Sequence, residues 1–237
     1  MKKRLVVLSG AGISAESGLQ TFRDSDGLWE GHAVEDVATP TAWAKNKQWV
    51  LDFYNARRRA VKAAEPNDAH KGLAFLEQFF EVQIITQNID DLHERAGSSN
   101  VLHLHGEIFK MCSERNKGHI TPIREDITLG QLAPDGNQFR PFIVWFGEAV
   151  PLMPRAAEIA AQCDCFAVVG TSLAVYPAAG LVDCVKPEIP LYVIDKKIPP
   201  LPRRSNLSVI ETSAGVGVKK LAEILTDLHG NQGTAKT

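Results

Sequence analysis

Residues 5–14 read LVVLSGAGIS: four apolar residues, a serine, then two glycines separated by one alanine. An unbroken Leu/Val run suits a strand buried on both faces, and glycine straight after it ends the strand in a turn with bare backbone. Such a turn can simply redirect the chain, or it can cradle a phosphate, and the two uses are compatible. From Gly10 to Ala15 the stretch fits G-x-G-x-x-G/A. In that pattern the backbone approaches a pyrophosphate closely, and the N–H groups opening the next helix hold it. Gly10, Ala11, Gly12, Ile13 and Ser14 are therefore candidate dinucleotide contacts.

Similar runs recur along the chain: FEVQIITQN (80–88), CFAVVGTS (165–172), PLYVIDK (190–196), the weaker LSVIET (207–212) and the short VLHLH (101–105). Helical patterns lie between them at 49–65, 68–80, 154–163 and 216–230. Strand–helix alternation predicts an α/β fold, a Rossmann-like parallel sheet with helices on both faces. Two stretches, 28–79 and 107–140, break the alternation and predict a smaller domain built from two insertions. The expected division is 1–27, 80–106 and 141–230 for the dinucleotide-binding domain, 28–79 and 107–140 for the small domain, and 231–237 for a polar tail.

The 237 residues are 44% hydrophobic with a formal net charge of −2, enough for a full core and no electrostatic case for nucleic acid or anionic membrane. No stretch approaches the roughly 20 apolar residues of a membrane span. Leu5–Leu8 is too short for a secretory apolar region. Cys112, Cys163, Cys165 and Cys184 form no disulfide framework, so reduced thiols and a cytoplasmic location are expected.

Ligands of open α/β sheets bind beyond the carboxyl ends of the strands. Gln87, Asn88, Ile89 and Asp90 stand there in TQNID (86–90), Gly170, Thr171 and Ser172 in GTSL (170–173), and Asp195 in YVID. His103 and His105 alternate before Gly106 and would share one face of a continuing strand. A dehydrogenase would show a second strand and an acidic ribose ligand about 20 residues after the glycines. The polar GLQTFRDSDGLWEGH stands there instead. The chain thus reads as a dinucleotide binder that leaves the hydride-transfer pattern early.

Six stretches in order, GAGIS (10–14), GLQTFRDSDGLW (18–29), TQNID (86–90), LHG (104–106), VWFGE (144–148) and GTSL (170–173), resemble the sirtuins, the NAD-dependent protein deacylases. The resemblance implies that NAD and an acyl-lysine peptide meet between two domains, and that His105 is the general base, with Asn88 and Asp90 beside it at the ribose and the nicotinamide carboxamide. In that family the acyl oxygen attacks C1′ of the nicotinamide ribose, and the products are lysine, nicotinamide and O-acyl-ADP-ribose. It also implies cofactor contacts from Glu16, Thr21, Phe22, Arg23, Trp29 and Ala214, and a mobile lid at residues 15–18. Val144, Trp145, Phe146, Gly147 and Glu148 would form an extended edge to which the peptide adds as a strand, Val144 and Phe146 walling the lysine tunnel.

Two positions are particular to this chain. Tyr54 and Arg57 lie three apart in FYNARRR and share a helical face. They resemble the Y-x-x-R of sirtuins that remove succinyl, malonyl or glutaryl groups, since a hydroxyl and a guanidinium suit a terminal carboxylate. A solvated basic face is the competing reading, because Arg58 and Arg59 follow. Second, the two Cys-x-x-Cys pairs usual in the family's small domain are missing: Cys112 stands alone and Arg115 occupies its partner's place. A closed site needs four ligands, so no structural zinc is expected. Packing through Ile120, Ile123, Ile127 and Leu129 would hold the loops instead. An NAD hydrolase or ADP-ribosyltransferase on the same cleft is the alternative activity.

Overall fold

The computed structural model describes residues 2–20, 28–29, 32–201 and 204–233. The strands are β1 (Arg4–Ser9), β2 (Leu28–Trp29), β3 (His32–Ala33), β4 (Glu81–Thr86), β5 (Val101–His103), β6 (Gly106–Ser113), β7 (Ile120–Pro122), β8 (Phe139–Ile143), β9 (Cys165–Val169), β10 (Leu191–Asp195) and β11 (Leu207–Glu211). The helices are α1 (Ala11–Ser14), α2 (Val34–Val37), α3 (Pro40–Lys45), α4 (Lys47–Ala63), α5 (Asp68–Leu76), α6 (Leu92–Arg95), α7 (Met153–Ala161) and α8 (Ala214–Gly233).

All six runs read as strands join one parallel sheet, in the order β11-β10-β9-β1-β4-β5. Their side chains alternate between two cores. Leu5 and Val7 pack with Ala69, Leu73 and Leu76 of α5 and with Val218 and Leu221 of α8. Val6 and Leu8 face the opposite way, onto Ala156 and Ile159 of α7 and Leu181 and Val182. Residues 5–8 are fully buried, each contributing about 1.5–3 kcal/mol by leaving water. From β1 the chain order runs outward to β4 and β5 on one side and to β9, β10 and β11 on the other. The order therefore reverses between β1 and β9, the position at which an open α/β sheet leaves a crevice.

A third core joins α2, α3 and α4 to the antiparallel sheet β7-β6-β8. Helix α5, which the sequence division assigns to the small domain, packs on the large sheet instead. Helix α4 starts at Asn46, whose side chain accepts the Trp49 N–H. Polar pairs then tie α4 to the 107–140 segment. Asn55 donates Nδ2 to Ile127 O (2.9 Å) and accepts Ile127 N–H on Oδ1 (3.0 Å), like a strand neighbour. Buried Arg58 donates Nε to Ile108 O (2.9 Å) and Nη1 to Asn55 Oδ1 (2.7 Å). Of the expected packing residues, Ile127 is fully buried and Ile123 half-buried, whereas Ile120 and Leu129 are exposed at 46% and 55%. Polar pairing thus does part of the work assigned to those two side chains.

Asn55→Ala strands a buried N–H and a buried C=O on Ile127. Stability should fall by about 2–4 kcal/mol, read as a lowered urea midpoint at unchanged slope.

Candidate active site

Two strand ends meet at the crevice. Gly10 N–H donates to Val169 O (3.0 Å) and Gly12 N–H to Gly170 O (2.8 Å). A Cβ on Gly12 would stand 2.8 Å from Gly170 Cα, and one on Gly10 would stand 2.6 Å from Thr171 Cβ. Gly170 has φ +65°, the left-handed region where glycine is at ease. The glycines thus let two backbones touch as well as leaving a bare surface for a ligand. The helix predicted after them is one turn long, followed by a 3₁₀ turn at Ala15–Ser17. In residues 15–18, expected to be a mobile lid, Glu16 and Ser17 are hydrogen-bonded to neighbouring elements. Asn67 Nδ2 donates to Ile13 O (2.8 Å) and Ser17 Oγ (2.9 Å), and Glu16 accepts Gly215 N–H (3.0 Å).

The cleft has a volume of about 430 Å³, within the usual range for small-molecule sites. Its walls carry nearly all the residues singled out from sequence. Gly10, Ala11, Gly12 and Ser14 come from the first turn, and Gly170, Thr171 and Ser172 from the turn after β9. Gln87, Asn88, Ile89 and Asp90 follow β4; Asp195 and Ala214 close one end. His105, Trp29, Tyr54, Arg57 and residues 144–148 line the rest. Two expected contacts do not line it: Ile13 is buried in the core behind the turn, and Glu16 faces α8. Thr21, Phe22 and Arg23 lie outside the described residues. Lys196, Lys197 and Tyr176 also line the cleft and were missed. The two lysines follow Asp195 in sequence, so its strand-end position was the available signal.

A buried polar network fixes the residues after β4. Asn88 Nδ2 donates to Gly10 O (3.2 Å) and Ser14 Oγ (3.1 Å), and Ser14 donates to Asp90 Oδ2 (3.1 Å). Asp90 also accepts Leu92 N–H (3.2 Å). Burial nevertheless raises the Asp90 pKa, with those two hydrogen bonds and the charge of Arg57 opposing. Gln87 donates to Thr171 Oγ1 (3.0 Å), bridging two strand ends.

His105 sits in the turn between β5 and β6, with Nδ1 3.0 Å from Gln87 O. A carbonyl only accepts, so Nδ1 carries the proton and Nε2 keeps its lone pair. Burial lowers the His105 pKa and the Gln87 bond only partly offsets this, so the ring is neutral at neutral pH. Gly106 follows at φ +86°, where a Cβ would run into Phe142 O. His103 does not share a face with His105, because β5 stops at residue 103. It is buried, bonding Asn88 O (3.1 Å) and Glu94 (2.7 Å). Burial works against its charge, but the Glu94 bond and charge win and its pKa rises.

The triple arginine splits three ways. Arg57 lines the cleft with its guanidinium 5.6 Å from the Trp29 ring centre, Arg58 enters the core, and Arg59 pairs with Asp126 at the surface (2.5 Å). The solvated-face reading therefore holds for Arg59 alone. Tyr54 is fully buried among Trp29, Phe53 and Trp145, and its hydroxyl accepts Trp145 Nε1–H (3.0 Å).

VWFGE is a turn here, not an extended edge. Val144 N–H donates to His105 O (2.9 Å), Phe146 N–H to Ala38 O (3.0 Å) and Glu148 N–H to Trp145 O (3.0 Å), with Gly147 at φ +86°. Trp145 is buried, while Phe146 is exposed at the cleft mouth. The Glu148 carboxylate is committed to Arg140 (2.9 Å), Lys117 (2.8 Å) and the Trp145 N–H (2.8 Å).

Where paired cysteines would clasp two loops, Ser113 Oγ donates to Asp135 Oδ2 (2.6 Å), and the N–H groups of Arg115 and Asn116 return to Ser113. Cys112 is buried, and burial raises its pKa. Among the described residues no three His, Cys, Asp or Glu side chains are grouped to hold a metal ion.

Bare glycine backbone at a topological switch point, polar strand ends and a neutral histidine form a cleft suited to a dinucleotide and a second substrate. Residues 10–177 match the Sir2 family. The chain is 51% identical over 226 residues to an NAD-dependent protein deacylase of Helicobacter pylori (strain ATCC 700392 / 26695), covering 95% of this chain and 99% of that one. It is 47% identical to an NAD-dependent protein deacylase of Bacteroides thetaiotaomicron over 229 residues, 94% and 98% of the two chains. A crystal structure of a Sir2 homologue–NAD complex superposes with a TM-score of 0.84 at 37% identity, covering 96% and 91%. A Sir2–p53 peptide–NAD+ structure superposes with a TM-score of 0.77 at 28% identity, covering 95% and 94%. The chain belongs to the Sir2 family. Its co-substrate is NAD, and the glycine turns and strand-end side chains fit it.

Purified protein should contain far less than one zinc per chain, and a strong chelator should leave its melting temperature unchanged. Stoichiometric zinc, or a chelator-induced drop, would contradict the clasp made by Ser113 and Asp135.

Proposed function

We propose that this protein removes acidic acyl groups (succinyl, malonyl or glutaryl) from lysine side chains, and acetyl as well, with His105 as general base. The coarser activity follows from the family and its relatives: the chain is an NAD-dependent protein deacylase. Bound NAD supplies an activated ribose carbon, whose nicotinamide is exchanged for the acyl oxygen.

The observation that carries the acidic preference is that Tyr54 and Arg57, one helical turn apart, line the same cleft as His105. A guanidinium can bind a carboxylate through two parallel N–H bonds, and a phenol adds a third donor. Burial pushes the Tyr54 pKa well up, so the hydroxyl keeps its proton and can donate. An NAD hydrolase would need neither side chain. Asn88, whose Nδ2 is held by Gly10 O and Ser14, keeps its side-chain oxygen as an acceptor for a ribose hydroxyl. The acyl-lysine enters past Val144 and Phe146 at the cleft mouth. Because Val144 and Phe146 already spend their N–H groups, we assign peptide binding there to side-chain cover and the remaining backbone groups.

Two outcomes follow. The acid limb of kcat/KM should have its midpoint below pH 6.5, because His105 must be neutral to accept a proton and its pKa is lowered. A midpoint above 6.5 would contradict the base assignment, as would full activity in His105→Ala. Tyr54→Phe with Arg57→Met should lower the succinyl-to-acetyl ratio of kcat/KM at least about tenfold, the loss expected when charge-assisted bonds of roughly 1.5–3 kcal/mol go. An unchanged ratio would return the pair to a structural role.

A further inference from the structure

Trp145 lies in a turn that reads, from sequence, as a platform for the peptide backbone. Its indole does something else. Nε1–H points to Tyr54 Oη at 3.0 Å, and both side chains are buried. An indole N–H can only donate. Tyr54 must therefore accept there, and its own O–H is turned away from Trp145. No other hydrogen bond of that hydroxyl involves a described residue, and Tyr54 lines the cleft.

Two further side chains hold the indole. The Arg140 guanidinium stacks on the ring at 3.2 Å, and Trp43 packs at a centroid distance of 5.6 Å. Arg140 is buried and locked by Glu148 (2.9 Å) and Ile143 O (2.8 Å); Glu148 in turn accepts the Trp145 N–H (2.8 Å) and is anchored by Lys117 (2.8 Å). Swinging the indole would therefore break its bond to Tyr54 and pull it off a guanidinium that Glu148 and Ile143 O hold in place. The Tyr54 phenol keeps its proton, because burial raises its pKa, with the Trp145 bond only partly opposing.

We propose that Trp145, locked by Arg140 and Glu148, is a positioning residue that makes Tyr54 a hydrogen-bond donor towards the acyl group, and so helps set the preference for acyl groups ending in a carboxylate. A carboxylate accepts and never donates, so a phenol whose proton is aimed at it discriminates in its favour; an acetyl methyl gains nothing from that proton. This rests on the acidic-acyl reading of Tyr54 and Arg57.

The test compares wild type, Trp145→Phe, Tyr54→Phe and the double variant on matched succinyl-lysine and acetyl-lysine peptides with NAD. Wild type tests the underlying reading by itself: a succinyl-to-acetyl ratio of kcat/KM no higher than one overturns that reading and this inference with it. With a preference in wild type, Trp145→Phe should lower the ratio about tenfold, and in the Tyr54→Phe background it should lower it no further. Equal losses on both peptides, or independent losses in the double variant, would reduce Trp145 to packing and overturn the proposal. The bond itself is read without catalysis. In protein carrying ¹⁵N-indole tryptophan, one of the four indole N–H resonances should shift upfield in Tyr54→Phe and be absent in Trp145→Phe. Four unshifted resonances in Tyr54→Phe would overturn the proposal, and this readout stands even if Trp145→Phe does not fold.

Discussion

The architecture depends on one close approach: the turn after β1 lies directly on the turn after β9, glycine against glycine. Gly12 donates its N–H to Gly170 O at 2.8 Å, and neither position has room for a Cβ. That contact sits where the strand order reverses, so the crevice and the bare backbone coincide. The polar groups after β4 are placed from it. Asn88 holds Gly10 O, Gln87 reaches across to Thr171, and the Gln87 carbonyl orients His105. A side chain at residue 12 would force the turn after β1 away from the turn after β9.

The end of the cleft lined by Tyr54 and Arg57 is built differently. Its side chains come from α4, and α4 is placed by the small domain through Asn55, Arg58 and the Tyr54–Trp145 bond. A hydrogen bond from Ser113 to Asp135 draws together the ends of the segment against which α4 packs. The glycine-turn end and the Tyr54–Arg57 end of the cleft therefore rest on separate scaffolds joined at His105 and Gly106, where β6 begins and Val144 pairs back to His105.

Much of this was legible in the sequence. The six strands announce themselves as Val/Ile-rich runs because both faces of a parallel sheet are buried, and the site residues follow because strand ends face the crevice. The triple arginine was only half legible. Spacing puts Tyr54 and Arg57 on one face, but nothing local says that Arg58 turns into the core to meet Ile108 O. VWFGE read as an edge strand, yet Glu148 closes it into a turn by capping Trp145, a contact made possible by Arg140. His103 looked like a partner of His105 because alternation was extended past the true end of β5.

Mass spectrometry of the purified protein incubated with NAD and two matched peptides, one succinyl-lysine and one acetyl-lysine, tests the central claim most directly. The account predicts faster loss of succinyl, with nicotinamide and O-succinyl-ADP-ribose appearing in equal amounts. Cleavage of NAD with both peptides untouched would contradict it.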